Sequence, residues 1–269
     1  MTTISVQKHG IVKYSPSSIN KIQDLIAIES PLEIRLGYDK EHFQTLAITL
    51  CTPDDCEDLI YGYLFTEGII VNQCDVVEIN LFDNELGVIA EVVLIKSIAY
   101  DKYLNKRQGM VHASCGLCGK TEIDDLLTFN YPLSSEKGGL KNKLNTELIC
   151  SLPDKLLQSQ KAFTQTGGIH ASALFDNKGQ LICVREDVGR HNALDKLIGY
   201  CLQNNLLPLS DKIILLSGRV SFELVHKSLC AGVTILAAIG APSSLSVEIA
   251  NINKLRLLGF VKKSGFNNY

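Results

Sequence analysis

From residue 170 onward, the sequence alternates short apolar runs with segments of helical periodicity. Strands are predicted at 170–175, 180–185, 212–216, 234–239 and 257–261, and helices at 190–204, 221–231 and 245–255. After their first residues, Lys212 and Thr234, the runs at 212–216 and 234–239 are continuously apolar, as expected when a sheet is covered on both faces. This alternation predicts a layered α/β domain as the main body of the chain.

The first part of the chain has a different pattern, which is typical of antiparallel hairpins. Strands are predicted at 31–37, 43–50, 76–82 and 87–95, with a helix that Asp54 caps and Gly68 ends between the two pairs. Further helices are predicted at 121–127 and at 146–161, the latter interrupted by Pro153. We therefore predict a partly ordered lead-in at 1–30, a small antiparallel β-rich domain at 31–111, a mobile loop at 112–120 and an α/β domain at 121–269.

Charge and hydropathy exclude several classes of partner. The net charge of −3 over 269 residues gives no attraction to nucleic acid or to an acidic membrane surface. The first ten residues lack the apolar core of a signal peptide, and the apolar run at 230–241 is too short to cross a bilayer. The chain is therefore predicted to be cytoplasmic, with its nine cysteines mostly reduced.

Only Cys115 and Cys118 form a cysteine motif; the other seven cysteines lie singly in apolar patterns and are predicted to be core residues. Structural zinc would need two further ligands, and only His112 is near. A thioredoxin-type pair should lie at the start of a helix that follows a strand. Here Gly116 and Gly119 flank the second cysteine, which indicates a loop. A sulfur relay needs a loop that can reach both the sulfur donor and the acceptor, and the glycines favour such a loop. Lys120 favours the thiolate form of the cysteines. The alternative is an incidental pair in a surface loop.

Three loops of the α/β domain are rich in glycine and small polar residues. They contain Gly167 and Gly168 before His170, then Ser217, Gly218 and Arg219, and finally Gly240, Ala241 and Pro242. Helix N-termini after parallel strands offer free N–H groups to phosphates, and a guanidinium can clamp a phosphate. The loops therefore predict a nucleotide-like ligand. The alternative is ordinary turns, with Ser221 and Ser244 as helix caps.

A dense polar cluster follows the strand predicted at 180–185. Glu186 and Asp187 are explained by the helix dipole alone. Arg190, His191 and Asn192 bring a guanidinium, an imidazole and an amide to one helix tip. We therefore predict that these three residues bind or position a ligand.

Taken together, these motifs resemble the formate dehydrogenase accessory sulfurtransferases of the FdhD/NarQ family. The resemblance runs from about residue 30 to 262 and rests on CGLCG at 115–119, TGGIHA at 166–171, EDVGRHNALDK at 186–196, SGRVSFE at 217–223 and APSS at 241–244. It implies a homodimer whose main domain is a cytidine-deaminase-like three-layer α/β/α fold. A zinc nucleoside deaminase is not implied, because no His-x-Glu occurs and Cys115 follows Ser114 rather than proline.

The resemblance also implies a function. Cys115 would accept persulfide sulfur from a cysteine desulfurase, with Cys118 as its partner. The sulfur would pass to the bis-molybdopterin guanine dinucleotide cofactor, in its molybdenum or tungsten form, before that cofactor enters formate dehydrogenase. The cofactor site would be lined by Ala237, Ala238, Ile239, Gly240, Ala241 and Pro242, and GDP-like ligands would mimic the cofactor there. Two alternatives stay open, namely a cofactor chaperone without sulfur transfer and a zinc-binding module.

Overall fold

The structure is a computed structural model that describes residues 5–104, 131 and 144–269. The loop predicted at 112–120, with Cys115 and Cys118, and the helix predicted at 121–127 lie outside the described residues. In the part of the chain that is described, no helix has both the length and the apolar character needed to span a bilayer.

Three separate sheets contain the strands. In chain order the strands are β1 (Val6–Ser15), β2 (Ser18–Ala27), β3 (Ser30–Gly37), β4 (Gln44–Cys51), β5 (Val76–Asn84), β6 (Gly87–Leu94), β7 (His170–Phe175), β8 (Leu181–Asp187), β9 (Ile213–Leu216), β10 (Ile235–Ala238), β11 (Arg256–Lys262) and β12 (Gly265–Asn268). The described α-helices are α1 (Cys56–Thr66), α2 (Asp101–Leu104), α3 (Thr146–Ser159), α4 (Lys161–Thr166), α5 (Arg190–Gln203), α6 (Phe222–Cys230) and α7 (Ser244–Ile252), and a 3-10 turn spans Gln73–Asp75.

The six-stranded sheet confirms the predicted α/β body. Its order is β12-β11-β10-β9-β7-β8, with β9, β10 and β11 parallel and β7 antiparallel to both of its neighbours. Helix α3 covers one face, and α5, α6 and α7 cover the other. Two details differ from the prediction: α3 continues through Pro153 without interruption, and the edge strand β12 was not predicted.

The four-stranded sheet has the order β4-β3-β6-β5. Both predicted hairpins are confirmed, but the two hairpins join through β3 and β6, which run parallel. The unit is therefore mixed and not purely antiparallel. Its buried face, with Leu32, Ile34 and Leu36, packs against Ile60 and Leu64 of α1.

Helix α1 joins the small sheet to the large one through a close glycine contact with α5. A Cβ atom added to Gly62 would lie 1.8 Å from the Asp195 carbonyl oxygen, and one added to Gly199 would lie 1.8 Å from the Asp58 carbonyl oxygen. Only glycine permits this approach of the two backbones. Gly68 ends the helix as predicted and has a φ of +72°. The N-cap position is occupied by Asp55, not Asp54, and the Asp55 side chain makes no capping hydrogen bond.

Residues 1–30 depart most from the prediction. Their described part forms the two-stranded sheet β1–β2, in which Tyr14 pairs with Ile19 and both side chains are exposed. A strand with one buried face shows apolar and polar residues in alternation. Because most residues on both faces of this hairpin contact solvent, the sequence lacks that signal and predicts only a partly ordered lead-in where the structure has two strands.

Candidate functional site

Four loops meet at one edge of the six-stranded sheet. β9 and β10 are parallel and end side by side at Leu216 and Ala238. Because β7 runs antiparallel, its first residue His170 pairs with the last residue of β8, Asp187. We call this region, with residues 167–169, 186–190, 217–221 and 239–243, the loop edge. It is the position at which open α/β sheets bind ligands.

Two of these loops contact each other through their backbones. The Val220 amide donates to the Ala241 carbonyl at 3.0 Å, and the Gly240 amide donates to the Gly218 carbonyl at 3.2 Å. A Cβ atom added to Gly240 would lie 2.6 Å from the Gly218 oxygen and 2.7 Å from the Arg219 nitrogen. The segments around Gly218 and Gly240 therefore form one continuous surface that requires glycine at position 240.

Cationic side chains surround this surface. The His170 ring lies beside Gly218, since a Cβ added there would be 3.2 Å from Nδ1. The pKa of His170 is lowered by its burial and then by the nearby cation of Arg190, with a smaller effect from Arg219. Arg190 Nε is buried and has no hydrogen-bond acceptor among the described residues. A buried charged donor without an acceptor is costly, so this N–H suits an anionic ligand.

His191 links the first turns of two helices beneath the loop edge. Its Nε2 lies 3.1 Å from Ser221 Oγ and 3.2 Å from Glu223 Oε2. Burial, together with the charge of Arg190, lowers the pKa of His191 to about 3, and burial raises the pKa of Glu223 to about 7. Ser221 precedes α6, but its hydroxyl contacts His191 and does not cap the helix.

The other predicted site residues have mostly internal partners. Ser217 Oγ accepts from the Ala171 amide at 2.9 Å, and Asn192 Nδ2 donates to the Leu50 carbonyl at 2.8 Å and to Asp187 at 3.1 Å. Ala237 and Ala238 are fully buried within β10, on opposite faces of the sheet. Of the segment 237–242, only the part from Ile239 onward lies in the loop edge.

The glycines before β7 lie open to solvent. Gly167 ends α4 with a φ of +66°, and a Cβ added to it would meet no atom within 4 Å. Gly168 is similarly open, since its added Cβ would meet only the Thr166 oxygen at 3.9 Å. At the third loop, the cap of α7 is Ser243, paired with Ser246, rather than the predicted Ser244.

Two buried ion pairs behind the loop edge were not predicted. Lys196 Nζ lies 2.7 Å from Asp187 Oδ2, and both side chains are fully buried. Lys227 Nζ lies 2.9 Å from Asp195 Oδ2 and also contacts the Thr66 hydroxyl at 3.0 Å. A sequence signal for these pairs exists, namely the charged residues Asp195, Lys196 and Lys227 within the predicted helices. Such residues are almost never buried unless they are paired with an opposite charge.

The cysteines of the described residues are all unbridged, and they divide by exposure. Cys51, Cys56, Cys183 and Cys201 are buried as predicted, whereas Cys74 is exposed and Cys150 and Cys230 are intermediate. Within the described ranges, no three His, Cys, Asp or Glu side chains come close enough together to hold a metal ion. Because Cys115 and Cys118 lie outside those ranges, neither the relay nor the zinc alternative is tested there.

Comparisons with known proteins agree with one another. A family model described as "FdhD/NarQ family" matches residues 27–269. A protein named "Sulfur carrier protein FdhD" from Streptomyces coelicolor is 38% identical over 270 residues, covering 98% of this chain and 93% of its own length. A protein of the same name from Saccharolobus solfataricus is 38% identical over 266 residues, covering 99% and 96%.

One solved structure has a similar fold. It is described as a putative formate dehydrogenase accessory protein from Desulfotalea psychrophila, and it superposes with a TM-score of 0.73 at 23% identity. The similarity covers 98% of this chain and 96% of the other. At that identity it supports the arrangement of the sheets described above.

Proposed function

The chain belongs to the FdhD/NarQ family, and on that premise we propose that it is a sulfur carrier that assists a formate dehydrogenase. In this proposal Cys115 accepts persulfide sulfur from a cysteine desulfurase, and Cys118 assists it. The substrate that receives the sulfur is the bis-molybdopterin guanine dinucleotide cofactor, carrying molybdenum or tungsten. The observation that supports this most is the cationic loop edge, whose Arg190 Nε has no acceptor within the described part of the chain.

The loop edge has the chemistry that a dinucleotide needs. Arg190 and Arg219 supply cations for its phosphates, and His170 contributes a further polar group beside Gly218. The close approach of the backbones at Gly218 and Gly240 leaves a surface of small residues that a phosphate can reach. Ile239, which is 39% exposed, together with Ala241 and Pro242, would face the guanine portion.

The sulfur step is a simple exchange between thiols. The Cys115 thiolate attacks the outer sulfur of the desulfurase persulfide, and the S–S bond of the donor breaks. The desulfurase leaves as a thiolate, and Cys115 then carries the persulfide, so no external oxidant or reductant is consumed. We assign to Cys118 the receipt or release of the sulfur, because only two residues separate the two cysteines in the sequence.

The acceptor assignment is tested by mass. Incubation with a cysteine desulfurase and free cysteine should add one sulfur atom to the wild-type chain, as measured by intact mass spectrometry. Cys115→Ala should take up none. Cys74→Ala is the matched control, because Cys74 is an exposed thiol outside the CxxC motif and its loss should not affect uptake. Uptake by Cys115→Ala equal to that of the wild type would contradict the assignment.

A cofactor chaperone without sulfur transfer is the alternative, and it also needs the loop edge. The two hypotheses predict different results in cells. If the chain is only a chaperone, Cys115→Ala still supports formate dehydrogenase activity, whereas Gly240→Ala abolishes that activity. Under our proposal both variants lose that activity. Stoichiometric zinc in the purified protein, measured by elemental analysis, would instead favour a zinc-binding module.

We also propose three properties that follow from family membership. The chain acts as a homodimer in the cytoplasm, and its α/β domain is cytidine-deaminase-like. Light scattering of the purified chain tests the dimer, since a monomer mass would contradict it.

A further inference from the structure

Glu223 lies directly beneath the loop edge and contacts it through His191. The Glu223 side chain is 13% exposed, and its Oε2 atom lies 3.2 Å from His191 Nε2. Oε2 nevertheless receives no hydrogen bond from any described residue. A buried carboxylate oxygen without a donor is costly, whereas a protonated carboxyl could donate to Nε2 of a neutral imidazole. The contact is therefore best satisfied when the carboxyl carries the proton.

We propose that Glu223 is a positioning residue for the loop edge, whose carboxyl holds the single proton of the Glu223–His191 pair and binds it more tightly when an anionic ligand is present. This inference rests on the proposed function, because the anion is taken to be the diphosphate of a guanine nucleotide. The pair connects the second residue of α5 with the second residue of α6. It thereby fixes the two helix starts relative to each other.

The charges around the pair come from four elements. The groups that face Glu223 are His191, Arg190 and Asp195 of α5, Lys227 of α6 and Glu67 after α1, and those that face His191 include Arg190, Lys227 and His170 of β7. Lys227 is the nearest cation to Glu223, but it lies 3.9 Å from Oε1 and only 2.9 Å from Asp195. The charge of Lys227 is mainly neutralised by Asp195. The pKa of Glu223 is therefore about 7, and its carboxyl keeps the proton below that pH.

Ligand binding changes this balance through Arg190. The guanidinium is adjacent in sequence to His191, and its charge disfavours an added proton on His191 and Glu223. A phosphate that accepts from Arg190 offsets that charge and brings negative charge to the loop edge. Both effects favour the protonated form of the pair, so the pKa of Glu223 rises on binding. By linkage, the anion should bind less tightly as the pH increases through about 7.

The test measures proton uptake with GDP as the probe. Calorimetric titrations at pH 7, in buffers of different ionisation enthalpy, give the number of protons taken up per GDP bound. A group that is half-protonated in the free protein and fully protonated in the complex takes up about half a proton. Uptake should be lower by that amount in Glu223→Gln, which keeps the shape of the side chain. The titration of GDP itself is common to both proteins and cancels in the comparison.

The pH dependence of affinity gives a second readout. A rise of about one pKa unit on binding would weaken wild-type GDP binding about tenfold between pH 6 and pH 9, relative to Glu223→Gln. Glu248→Gln is the matched control, since Glu248 is an exposed glutamate of α7, the helix that follows the 239–243 loop. It should behave as the wild type does in both measurements.

The outcomes separate this inference from the proposed function. Equal proton uptake by Glu223→Gln and wild type, with GDP bound by both, overturns the proton linkage and leaves the proposed function intact. Loss of GDP binding by Glu223→Gln at every pH overturns it too, because the residue would then act only through structure. If the wild type binds neither GDP nor inorganic pyrophosphate, both this inference and the proposed ligand are wrong.

Discussion

Asp187 and Lys196 form a fully buried ion pair at 2.7 Å, which connects the loop edge to the small sheet. Asp187 Oδ2 also accepts from the Thr52 amide at 3.0 Å, and Lys196 Nζ donates to the Thr52 carbonyl at 2.9 Å. Asp187 Oδ1 accepts from the Gly189 amide, next to the start of α5. The pair therefore positions the β8–α5 turn, which carries Arg190, against residue 52 at the end of β4.

Removal of Lys196 should strongly destabilise the fold. Lys196→Met leaves the Asp187 charge buried without its cation, which typically costs about 3–5 kcal/mol. We expect the low end of that range, because Asp187 keeps its backbone and amide donors. Lys212→Met is the control, since its ion pair with the exposed Asp211 should contribute at most about 1 kcal/mol. Urea unfolding measures both, and equal losses would contradict the structural role of the pair.

A methyl group at position 240 should separate the two loops of the loop edge. In Gly240→Ala the Cβ would contact the Gly218 carbonyl, which is backbone and cannot rotate away. We expect a loss of about 1–3 kcal/mol in stability and at least tenfold weaker GDP binding. Gly10→Ala is the matched control, because Gly10 lies in β1, outside the loop edge, and its added Cβ would meet only Gln23 Nε2 at 3.7 Å. Calorimetric binding and thermal unfolding distinguish the two, and unchanged GDP binding by Gly240→Ala would contradict the described loop contact.

Arg190 should affect both the ligand and the titration of His170. In Arg190→Gln the charged hydrogen bond to an anion is lost, which corresponds to about 1.5–3 kcal/mol, or roughly 10- to 150-fold in the Kd for GDP. The pKa of His170 should rise as well, since the Arg190 cation lowers it in the wild type. Titration of the imidazole signals by NMR measures this shift.

The control for Arg190 is an arginine at the opposite end of the same sheet. Arg256 pairs with Ile235 at the start of β10, so Arg256→Gln should leave both the GDP affinity and the His170 titration unchanged. If the pKa of His170 stays constant in Arg190→Gln, the guanidinium does not face the imidazole. The description of the loop edge as cationic would then be wrong.

The sequence predicted the features that depend on local pattern. Strands such as β9 and β10 are buried on both faces and therefore appear as continuous apolar runs, and the loops at their ends follow from that placement. The β1–β2 hairpin has no comparable buried face, so its two strands left no periodic signal.

The side-chain partners within the site could not be predicted in the same way. His191 contacts Glu223, and Asn192 donates to the Leu50 carbonyl, across 32 and 142 residues of sequence. Such pairings depend on how distant elements pack, and no local spacing encodes them. Ser217 and Asn192 therefore have partners within the protein that the sequence does not reveal.

The Glu223–His191 pair should also determine how stability depends on pH without any ligand. The folded pKa of Glu223 is raised from 4.5 to about 7, so its contribution is present at low pH and lost as the pH rises through 7. The folded pKa of His191 is lowered from 6.5 to about 3, so its contribution is present above 6.5 and lost as the pH falls. Between pH 6.5 and 4.5 the folded and unfolded states each hold one proton on this pair, and the two effects cancel.

Glu223→Gln removes one side of that cancellation. Below pH 6.5, His191 is protonated in the unfolded state of this variant, whereas the folded state holds no proton on the pair. The free energy of unfolding should therefore decrease, relative to wild type, by about 1.4 kcal/mol for each unit by which the pH is lowered. Urea unfolding at pH 6.5 and 4.5 should show a relative loss of about 3 kcal/mol. Adding His191→Gln to the variant should restore the wild-type slope, because neither side chain then titrates. Parallel pH curves for Glu223→Gln and wild type would show that the two residues do not share a proton in the folded protein.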